Sequence, residues 1–176
     1  MNGPQSFYDD LASDYHLIYP DWEKSIQRQA AALDRILRSR IDCDPPTTSI
    51  LDCTCGIGTQ TLGLTQLGYQ LRGTDLSPSA IARARQEAEA RDFKIRFDPV
   101  DVRELDQVES GLFDVVLSCD NAIPHLMSDA HIESALHQMH HRLKSDGLLL
   151  IGIQVILPRF GRHTVKPLLE LRIYLG

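Results

Sequence analysis

Apolar and polar residues follow two different periods along this chain. Short apolar runs, typical of buried strands, alternate with longer stretches in which apolar residues return every three or four positions, as on one face of a helix. The short runs predict five strands, at residues 49–52, 69–74, 94–99, 113–119 and 148–153. Alternating strands and helices predict an α/β fold with a parallel sheet, in which right-handed crossovers bring the carboxyl ends of the strands to one edge.

Capping residues indicate where the helices begin. Helices are predicted from residues 20–21, from Ser77, with Pro78 in the first helical position, and from residues 128–129. A further helix follows the first strand. The apolar stripe of the last helix runs to Leu143, after which a polar turn leads into the fifth strand.

The first strand ends in a glycine turn. Residues 49–59 pass from an apolar run into Asp52 and then into Gly56 and Gly58, before a helix begins. A side chain at either glycine would hold off a ligand that lies against the backbone. A strand, a glycine turn and a helix form a nucleotide-type pocket at the carboxyl end of the strand. The fingerprint of NAD enzymes has a third glycine where this chain has Thr61, which disfavours NAD.

Polar residues at the ends of later strands extend this pocket. Asp75 ends the second strand, where a carboxylate can accept hydrogen bonds from two ribose hydroxyls. Asp101 follows the third strand and can accept a hydrogen bond from an adenine amine, while the amide of Val102 can donate to a ring nitrogen. Together these groups describe an adenosine site. Other polar groups at this edge suit a positively charged group beyond the ribose: Asp52 and the carbonyls near Ser118 and Cys119.

Four ordered motifs, at residues 51–59, 73–77, 101–102 and 113–116, resemble those of class I S-adenosylmethionine-dependent methyltransferases. The resemblance implies a Rossmann-like three-layer α/β/α sandwich with a mainly parallel sheet, and S-adenosyl-L-methionine as cofactor. It implies that the end of the second strand holds the ribose and that the end of the third strand holds the adenine. The glycine loop would hold the methionine part. The cofactor-binding residues would be Asp52, Cys53, Thr54, Cys55, Gly56, Gly58, Asp75, Leu76, Asp101, Val102, Ser118 and Cys119.

The N-terminal segment, residues 6–22, is dense in aromatic side chains. Amphipathic rings suit a lid over a ligand, and plain packing of an N-terminal helix on the core is an equal alternative. This segment and residues 120–126 look most like small-molecule methyltransferases, including the glycine and sarcosine N-methyltransferase group. On that reading the acceptor side of the pocket comprises Tyr8, His16, Tyr19 and Asn121.

His125 and Tyr15 are the candidate catalytic residues. An amine acceptor must be unprotonated when it attacks, and an imidazole titrates close enough to neutral pH to orient it or take its proton. Methyl transfer from a sulfonium has a neutral leaving group, so proximity and alignment supply most of the rate enhancement. For His125, a loop position without a chemical role is an open alternative, and for Tyr15 a purely structural role is open as well.

The composition is that of one globular domain. The chain has 176 residues, 43% of them apolar, which suffices for one core and is too little for two full domains. A net charge of -6 disfavours a nucleic-acid partner. Residues 1–5 lack the features of a signal peptide, and the longest apolar run, 148–157, is too short to span a bilayer. We therefore expect a soluble, cytoplasmic protein without a membrane partner.

The cysteines and histidines do not form a metal-binding pattern. The four cysteines contain no C-x-x-C pair, which favours reduced thiols over a disulfide or a zinc site. Histidines between residues 131 and 141 include pairs at helical spacing, which alone do not make a metal site. We interpret them as a solvated face, and no metal site is predicted.

The last residues, 154–176, differ from the body of the chain. The resemblance implies a further helix and an antiparallel hairpin that completes a seven-stranded sheet, whereas this tail has room for one more strand, near 168–174. The predicted divisions are a lid segment and helix at 1–47, a cofactor-binding domain at 48–153, and an atypical tail at 154–176, for which truncation is one interpretation. Unless the tail pairs with it, the fifth strand would be an open edge, which leaves a monomer or a weak homo-oligomer.

Three functions are compatible with these patterns. The first is methyl transfer from S-adenosylmethionine to a small-molecule acceptor, with an amine favoured. The second is a truncated, catalytically impaired module that still binds S-adenosylmethionine. The third, a nucleotide-sugar or NAD enzyme, is disfavoured by Thr61.

Overall fold

The computed structural model describes residues 4–109, 111–154 and 169–175. Strands β1 to β6 span Ser49–Asp52, Gln70–Asp75, Arg96–Pro99, Phe113–Ser118, Leu143–Gln154 and Leu169–Leu175. Helices α1 to α5 span Pro4–Leu11, Trp22–Arg40, Thr59–Gln66, Pro78–Glu89 and Asp129–His140. Short 3-10 turns cover Tyr15–Ile18, Leu105–Gln107 and Ile123–Leu126.

The described strands form one sheet in the order β3-β2-β1-β4-β5-β6. Strands β1 to β5 are parallel, and β6 pairs antiparallel with β5. The chain leaves β1 toward one side of the sheet and returns to its other side through β4. Ligands of open α/β sheets bind at such a switch point, outside the carboxyl ends of the strands.

Helices cover both faces of the sheet. Ile50 and Val115 pack against Leu37 of α2 on one face. Their neighbours Leu51 and Val116 belong to the core on the other face, which includes residues of α5. This alternation follows from the period of two along a strand. The predicted three-layer α/β/α sandwich is confirmed.

The predicted helix starts are confirmed by their caps. The side chain of Asp21 accepts a hydrogen bond from the amide of Lys24, and that of Ser77 accepts one from Ala80. Ser128 caps α5 in the same way. These bonds satisfy amides in the first turn of a helix that have no partner within it.

The end of the last helix was predicted wrongly. Helix α5 ends at His140, and Leu143 begins β5 instead of closing the helix stripe. Leu143 pairs with Phe113, whose amide donates to the carbonyl of Arg142. The register then shifts, and Asp146 takes a left-handed conformation with φ of 63°. At Leu143, pairing with the neighbouring strand therefore determines the structure, although the spacing of the apolar residues predicts a helix.

The tail pairs with the sheet. Leu148 lies opposite Leu175 and Gln154 lies opposite Leu169, so β6 covers the outer edge of β5 along much of its length. One further strand near 168–174 is therefore confirmed. The condition for an open edge at β5, a tail that does not pair with it, is therefore not met in this part of the structure. The remaining tail residues, 155–168 and 176, lie outside the described residues.

Within the described ranges, no helix combines the length and the apolar character needed to cross a membrane.

Candidate cofactor and acceptor site

A cavity of about 600 Å³ opens at the carboxyl end of the sheet, beside the switch point between β1 and β4. This volume lies in the range of small-molecule sites. The sequence-predicted residues that line it are Tyr8, Tyr15, Cys53, Thr54, Cys55, Gly56, Asp75, Leu76, Asp101, Val102, Cys119 and His125. Asp52, Gly58, Ser118, His16, Tyr19 and Asn121 are not among the described lining residues.

The two glycines of the first loop have different roles. Gly56 lines the cavity with φ of 53°, and a Cβ there would meet nothing within 4 Å. Gly58 has φ of 95°, and its Cβ would lie 3.3 Å from Leu62 and 3.5 Å from Ala84. Gly58 is therefore required by backbone conformation and packing behind the loop, whereas the predicted close approach of a ligand applies to Gly56.

Asp75 is fixed by two backbone amides. Its Oδ2 accepts a hydrogen bond of 2.8 Å from Gly56, and its Oδ1 accepts one of 2.9 Å from Ser77. Burial raises the pKa of Asp75, and these two hydrogen bonds counteract part of that shift. Each carboxylate oxygen can accept a second hydrogen bond, so the carboxylate can still bind two hydroxyls from the cavity side.

Asp101 forms an ion pair that the sequence did not reveal. Arg103 donates to both carboxylate oxygens through its guanidinium, at 2.9 Å from Nε to Oδ1 and 2.5 Å from Nη2 to Oδ2. The amide of Arg103 also donates to Oδ1, at 2.9 Å. Burial alone would raise the pKa of Asp101, but the bonds from Arg103 outweigh burial and lower it. Asp101 is thus held ionised at the cavity wall.

Asp52 lies behind the cavity wall that Cys53 and Thr54 form. It is fully buried, and its Oδ2 accepts a hydrogen bond of 2.6 Å from Thr61. Its Oδ1 has no hydrogen-bond partner among the described residues. Burial raises the pKa of Asp52 to about 7. Thr61, noted in the sequence only as a missing glycine, is the residue that holds this carboxylate.

Ser118 is also buried behind the wall. Its hydroxyl lies 2.9 Å from that of Thr54, so it supports the loop, while the next residue, Cys119, reaches the cavity. Cys53, Cys55 and Cys119 are buried free thiols, and burial raises their pKa values well above the ordinary one. All four cysteines, including the half-buried Cys43, are free thiols, as the sequence favours.

The N-terminal segment lies over the cavity and is tied to it at two places. The side chain of Asp9 accepts hydrogen bonds from the hydroxyl of Ser77, at 2.5 Å, and from the amide of Ser79, at 3.2 Å. Trp22 donates from Nε1 to the hydroxyl of Thr59, at 2.9 Å. Both attachments reach residues next to the predicted cofactor loops.

Aromatic rings form the other side of the cavity. The ring centroids of Tyr8 and His125 lie 5.8 Å apart, edge to face, and those of Tyr8 and Tyr15 lie 6.5 Å apart. Burial, followed by the charge of Asp120, raises the pKa of Tyr15 to about 12. Tyr15 therefore remains a neutral phenol at physiological pH.

Asp120 is a cavity residue that the sequence analysis did not select. It lies directly after β4 and accepts a hydrogen bond of 2.9 Å from Tyr19. Asp120 and Asn121 both adopt left-handed conformations, with φ of 53° and 64°. Its position after a predicted strand indicates that Asp120 lies near the site. The left-handed backbone cannot be predicted from the sequence.

Three of the predicted acceptor-side residues, His16, Tyr19 and Asn121, are not among the described residues of the cavity wall. His16 packs near Trp22, with ring centroids 6.3 Å apart. The amide of Asn121 donates to the carbonyl of Gly152 at 3.2 Å, which anchors the turn after β4. Tyr19 is connected to the site by its hydrogen bond to Asp120. Within the described ranges, no group of three or more His, Cys, Asp or Glu side chains could hold a metal ion.

Comparisons with known proteins agree with this geometry. Residues 50–147 match the family model described as a methyltransferase domain. The putative methyltransferase YqeM of Bacillus subtilis is 29% identical over 86% of this chain and 54% of its own length. The glycine/sarcosine N-methyltransferase of Parasynechococcus marenigrum is 28% identical over 74% of this chain and 45% of its own length. The chain spans about half the length of the curated relatives it matches.

Solved structures share the fold. The sugar N-methyltransferase KedS8 from Streptoalloteichus superposes with a TM-score of 0.64 at 26% identity, over 79% of this chain and 53% of that one. The magnesium protoporphyrin IX methyltransferase of Synechocystis, solved with bound S-adenosylmethionine, has a TM-score of 0.67 at 19% identity, over 84% and 73%. The family model covers more than half of the chain, so the chain belongs to the class I S-adenosylmethionine-dependent methyltransferases.

Proposed function

We propose that this chain binds S-adenosylmethionine in the cavity and transfers the methyl group to a small-molecule acceptor that carries an amine. The observation that carries the proposal is Asp75, whose carboxylate is fixed by two amides at the cavity wall. Relatives named glycine/sarcosine N-methyltransferase and sugar N-methyltransferase support a nitrogen acceptor. A relative named ubiquinone biosynthesis O-methyltransferase, 31% identical over 51% of this chain, makes oxygen the competing class.

Two observations fit the cofactor to the glycine loop. The open space at Gly56 lets a ligand lie directly against the backbone. In its ionised form, the buried carboxylate of Asp52, behind Cys53 and Thr54, favours positive charge on the cavity side of that wall. Bound there, S-adenosylmethionine supplies an electrophilic methyl group on a sulfonium.

The adenosine half is assigned to the next two strand ends. Asp75 accepts hydrogen bonds from the ribose hydroxyls. Asp101 accepts from the adenine amine, with Arg103 keeping the carboxylate ionised and in place. The buried side chain of Val102 forms an apolar wall for the ring.

The chain's own catalytic work is positioning and proton handling. Alignment of the acceptor and exclusion of water by the N-terminal segment can supply up to about 7 to 11 kcal/mol of the barrier reduction. His125 takes the proton of the acceptor before the attack, since it lies at the cavity wall against Tyr8. Tyr15, a neutral phenol, donates a hydrogen bond and does not act as a base.

The same proposal divides the chain by role. Residues 1–47 form the lid segment and its helix, and residues 48–153 bind the cofactor. Residues 154–176 complete the sheet edge through β6.

Formation of S-adenosylhomocysteine from S-adenosylmethionine and a panel of small amines tests the function. His125→Gln should lower kcat by at least tenfold with little change in cofactor affinity. His137→Gln is the matched control, because His137 packs on His141, with ring centroids 4.0 Å apart, and is not among the described lining residues. Cofactor binding without turnover on any amine or hydroxyl acceptor would support the impaired binding module instead.

A further inference from the structure

The acceptor end of the cavity combines a carboxylate with aromatic rings. Asp120 is an exposed residue that lines the cavity, and Tyr8, Tyr15 and His125 line it as well. Resting on the proposed function, we infer that the acceptor is a cationic amine that bears no carboxylate of its own, and that Asp120 is its counter-ion.

The backbone at Asp120 is arranged at an energetic cost. Asp120 and Asn121, two consecutive residues that are not glycine, have left-handed backbone conformations. Such residues persist where the surrounding structure holds them, and they cluster at ligand sites. The amide of Asn121 bound to Gly152 supplies one such restraint. The turn thereby holds the exposed carboxylate of Asp120 in the cavity lining.

The carboxylate retains capacity to bind a ligand. Among the described residues its one hydrogen bond comes from Tyr19, to Oδ2. A carboxylate can accept about four hydrogen bonds, so Oδ1 and part of Oδ2 are available to an ammonium N–H. Charge-assisted bonds of this kind are about twice as strong as neutral ones.

The aromatic wall suits the alkyl groups of an ammonium ion. A cation within about 6 Å of a ring face is attracted by the ring quadrupole, most strongly when it is desolvated. Tyr8 and Tyr15 supply two neutral phenol rings, since their pKa values are raised by burial and by nearby carboxylates. Methylation increases the apolar surface of an ammonium ion, so this wall also fits the reaction product.

Among the described lining residues, a carboxylate on the acceptor would find His125 at this end, but no lysine and no unpaired arginine. The basic side chains among the described lining residues are Arg103, His125 and His131. Arg103 is paired with Asp101, and His131 acts on Asp101 at the adenine end. An anionic acceptor group would therefore face Asp120, and like charges in a cleft disfavour binding.

The course of the reaction adds to this preference. The deprotonated nitrogen uses its lone pair to form the N–C bond while the S–C bond breaks and its electron pair stays on sulfur. Positive charge thereby moves from sulfur to nitrogen. Asp120 placed beside that nitrogen stabilises the charge where it develops, which lowers the barrier as well as improving binding.

A matched pair of non-reactive probes tests the inference. Choline and glycine betaine share a trimethylammonium group and differ in carrying a hydroxyl or a carboxylate. Neither has an N–H to donate, so the pair tests the charge pairing with Asp120 and the aromatic wall, and not the hydrogen bond. Calorimetric titration of the S-adenosylhomocysteine complex should give choline an affinity at least fivefold higher than that of glycine betaine. Asp120→Asn should abolish the difference.

Asp92→Asn is the control, since Asp92 is an exposed residue with φ of 56° and Asn suits the same conformation. The Asp92 variant should retain the preference for choline. Equal affinities, a preference for betaine, or no binding of either probe to the complex would overturn the inference. Failure of S-adenosylhomocysteine itself to bind is seen before any probe is added, and it would refute the proposed function instead.

Discussion

The hydroxyl of Tyr19 lies 2.9 Å from Oδ2 of Asp120, which joins the N-terminal segment to the turn after β4 across 101 positions of sequence. The bonds from Ser77 to Asp9 and from Trp22 to Thr59 attach the same segment to two further strand-end loops. The segment is therefore held over the cavity from three sides. Entry and release of a ligand then require that some of these bonds open.

Removing the first of these bonds should loosen the lid. Tyr19→Phe keeps the ring and deletes the hydroxyl, so S-adenosylhomocysteine should dissociate about two- to fivefold faster, as expected for one exposed hydrogen bond to a charged group. Stopped-flow measurement of ligand release gives this rate.

Tyr69→Phe is the matched control for that experiment. Tyr69 donates a hydrogen bond of 2.7 Å to Asp34, remote from the cavity, so its loss should lower the free energy of unfolding by about 1 kcal/mol and leave ligand release unchanged. Identical release rates in wild type and Tyr19→Phe would show that the bond does not hold the lid.

The two glycines of the first loop should respond differently to alanine. Gly56→Ala puts a methyl group into the open space of the loop, so it should weaken cofactor binding with a stability loss of about 1 to 2 kcal/mol for a left-handed alanine. Gly58→Ala adds contacts with Leu62 and Ala84 to its strain, so it should lower the melting temperature more. Thermal unfolding and calorimetry of both variants would contradict this if Gly56→Ala bound the cofactor as tightly as wild type.

Asp52 should make stability depend on pH. Its pKa is about 7 in the folded protein against 3.8 ordinarily, so between these values the native state binds more protons than the unfolded state. The free energy of unfolding from this group therefore falls as pH rises from about 4 to 7, and is constant above that.

Asp52→Asn removes this titration while retaining an acceptor for Thr61. The difference in the free energy of unfolding, variant minus wild type, should therefore increase by about 1 kcal/mol or more when the pH is raised from 5 to 8. Chemical denaturation at both pH values measures the difference. A difference that does not change with pH would mean that Asp52 is ionised throughout this range.

Trp22 should report ligand binding. It is the chain's one tryptophan, and its indole donates to Thr59, which lines the cavity. Saturation with S-adenosylmethionine should change its fluorescence. Thr59→Val should shift the spectrum of the free protein and reduce the change on binding; an unaltered spectrum in both cases would place Trp22 outside the site.

The features that could be predicted from the sequence are those that depend on residues close to one another along the chain. Ser77 and Ser128 cap helices because a hydroxyl beside a free amide is a local arrangement. Leu143 was misassigned because its pairing with Phe113 is a tertiary contact that competes with helical spacing. The antiparallel pairing of β6 likewise depends on a partner elsewhere in the chain.

The site divides in the same way. Asp75 and Asp101 could be located because parallel topology brings strand ends to one edge. The roles of Arg103 and Asp120 could not be predicted, since they depend on a guanidinium that folds back onto Asp101 and on a left-handed backbone at Asp120. Asp52 was placed at the right strand end, but its burial behind the wall follows from how the loop folds.

Calorimetric titration with S-adenosylhomocysteine tests the central claim most directly, in wild type, Asp75→Ala and Asp114→Ala. Asp114 is a suitable control because its carboxylate also accepts a backbone amide, that of Ser49 at 2.8 Å, but lies at the start of β4, away from the cavity. Wild type and Asp114→Ala should bind equally, and Asp75→Ala should bind about tenfold more weakly or worse, because a charge-assisted pair of hydrogen bonds is lost. No heat with wild type, or full affinity in Asp75→Ala, would contradict the assignment of this cavity to the cofactor.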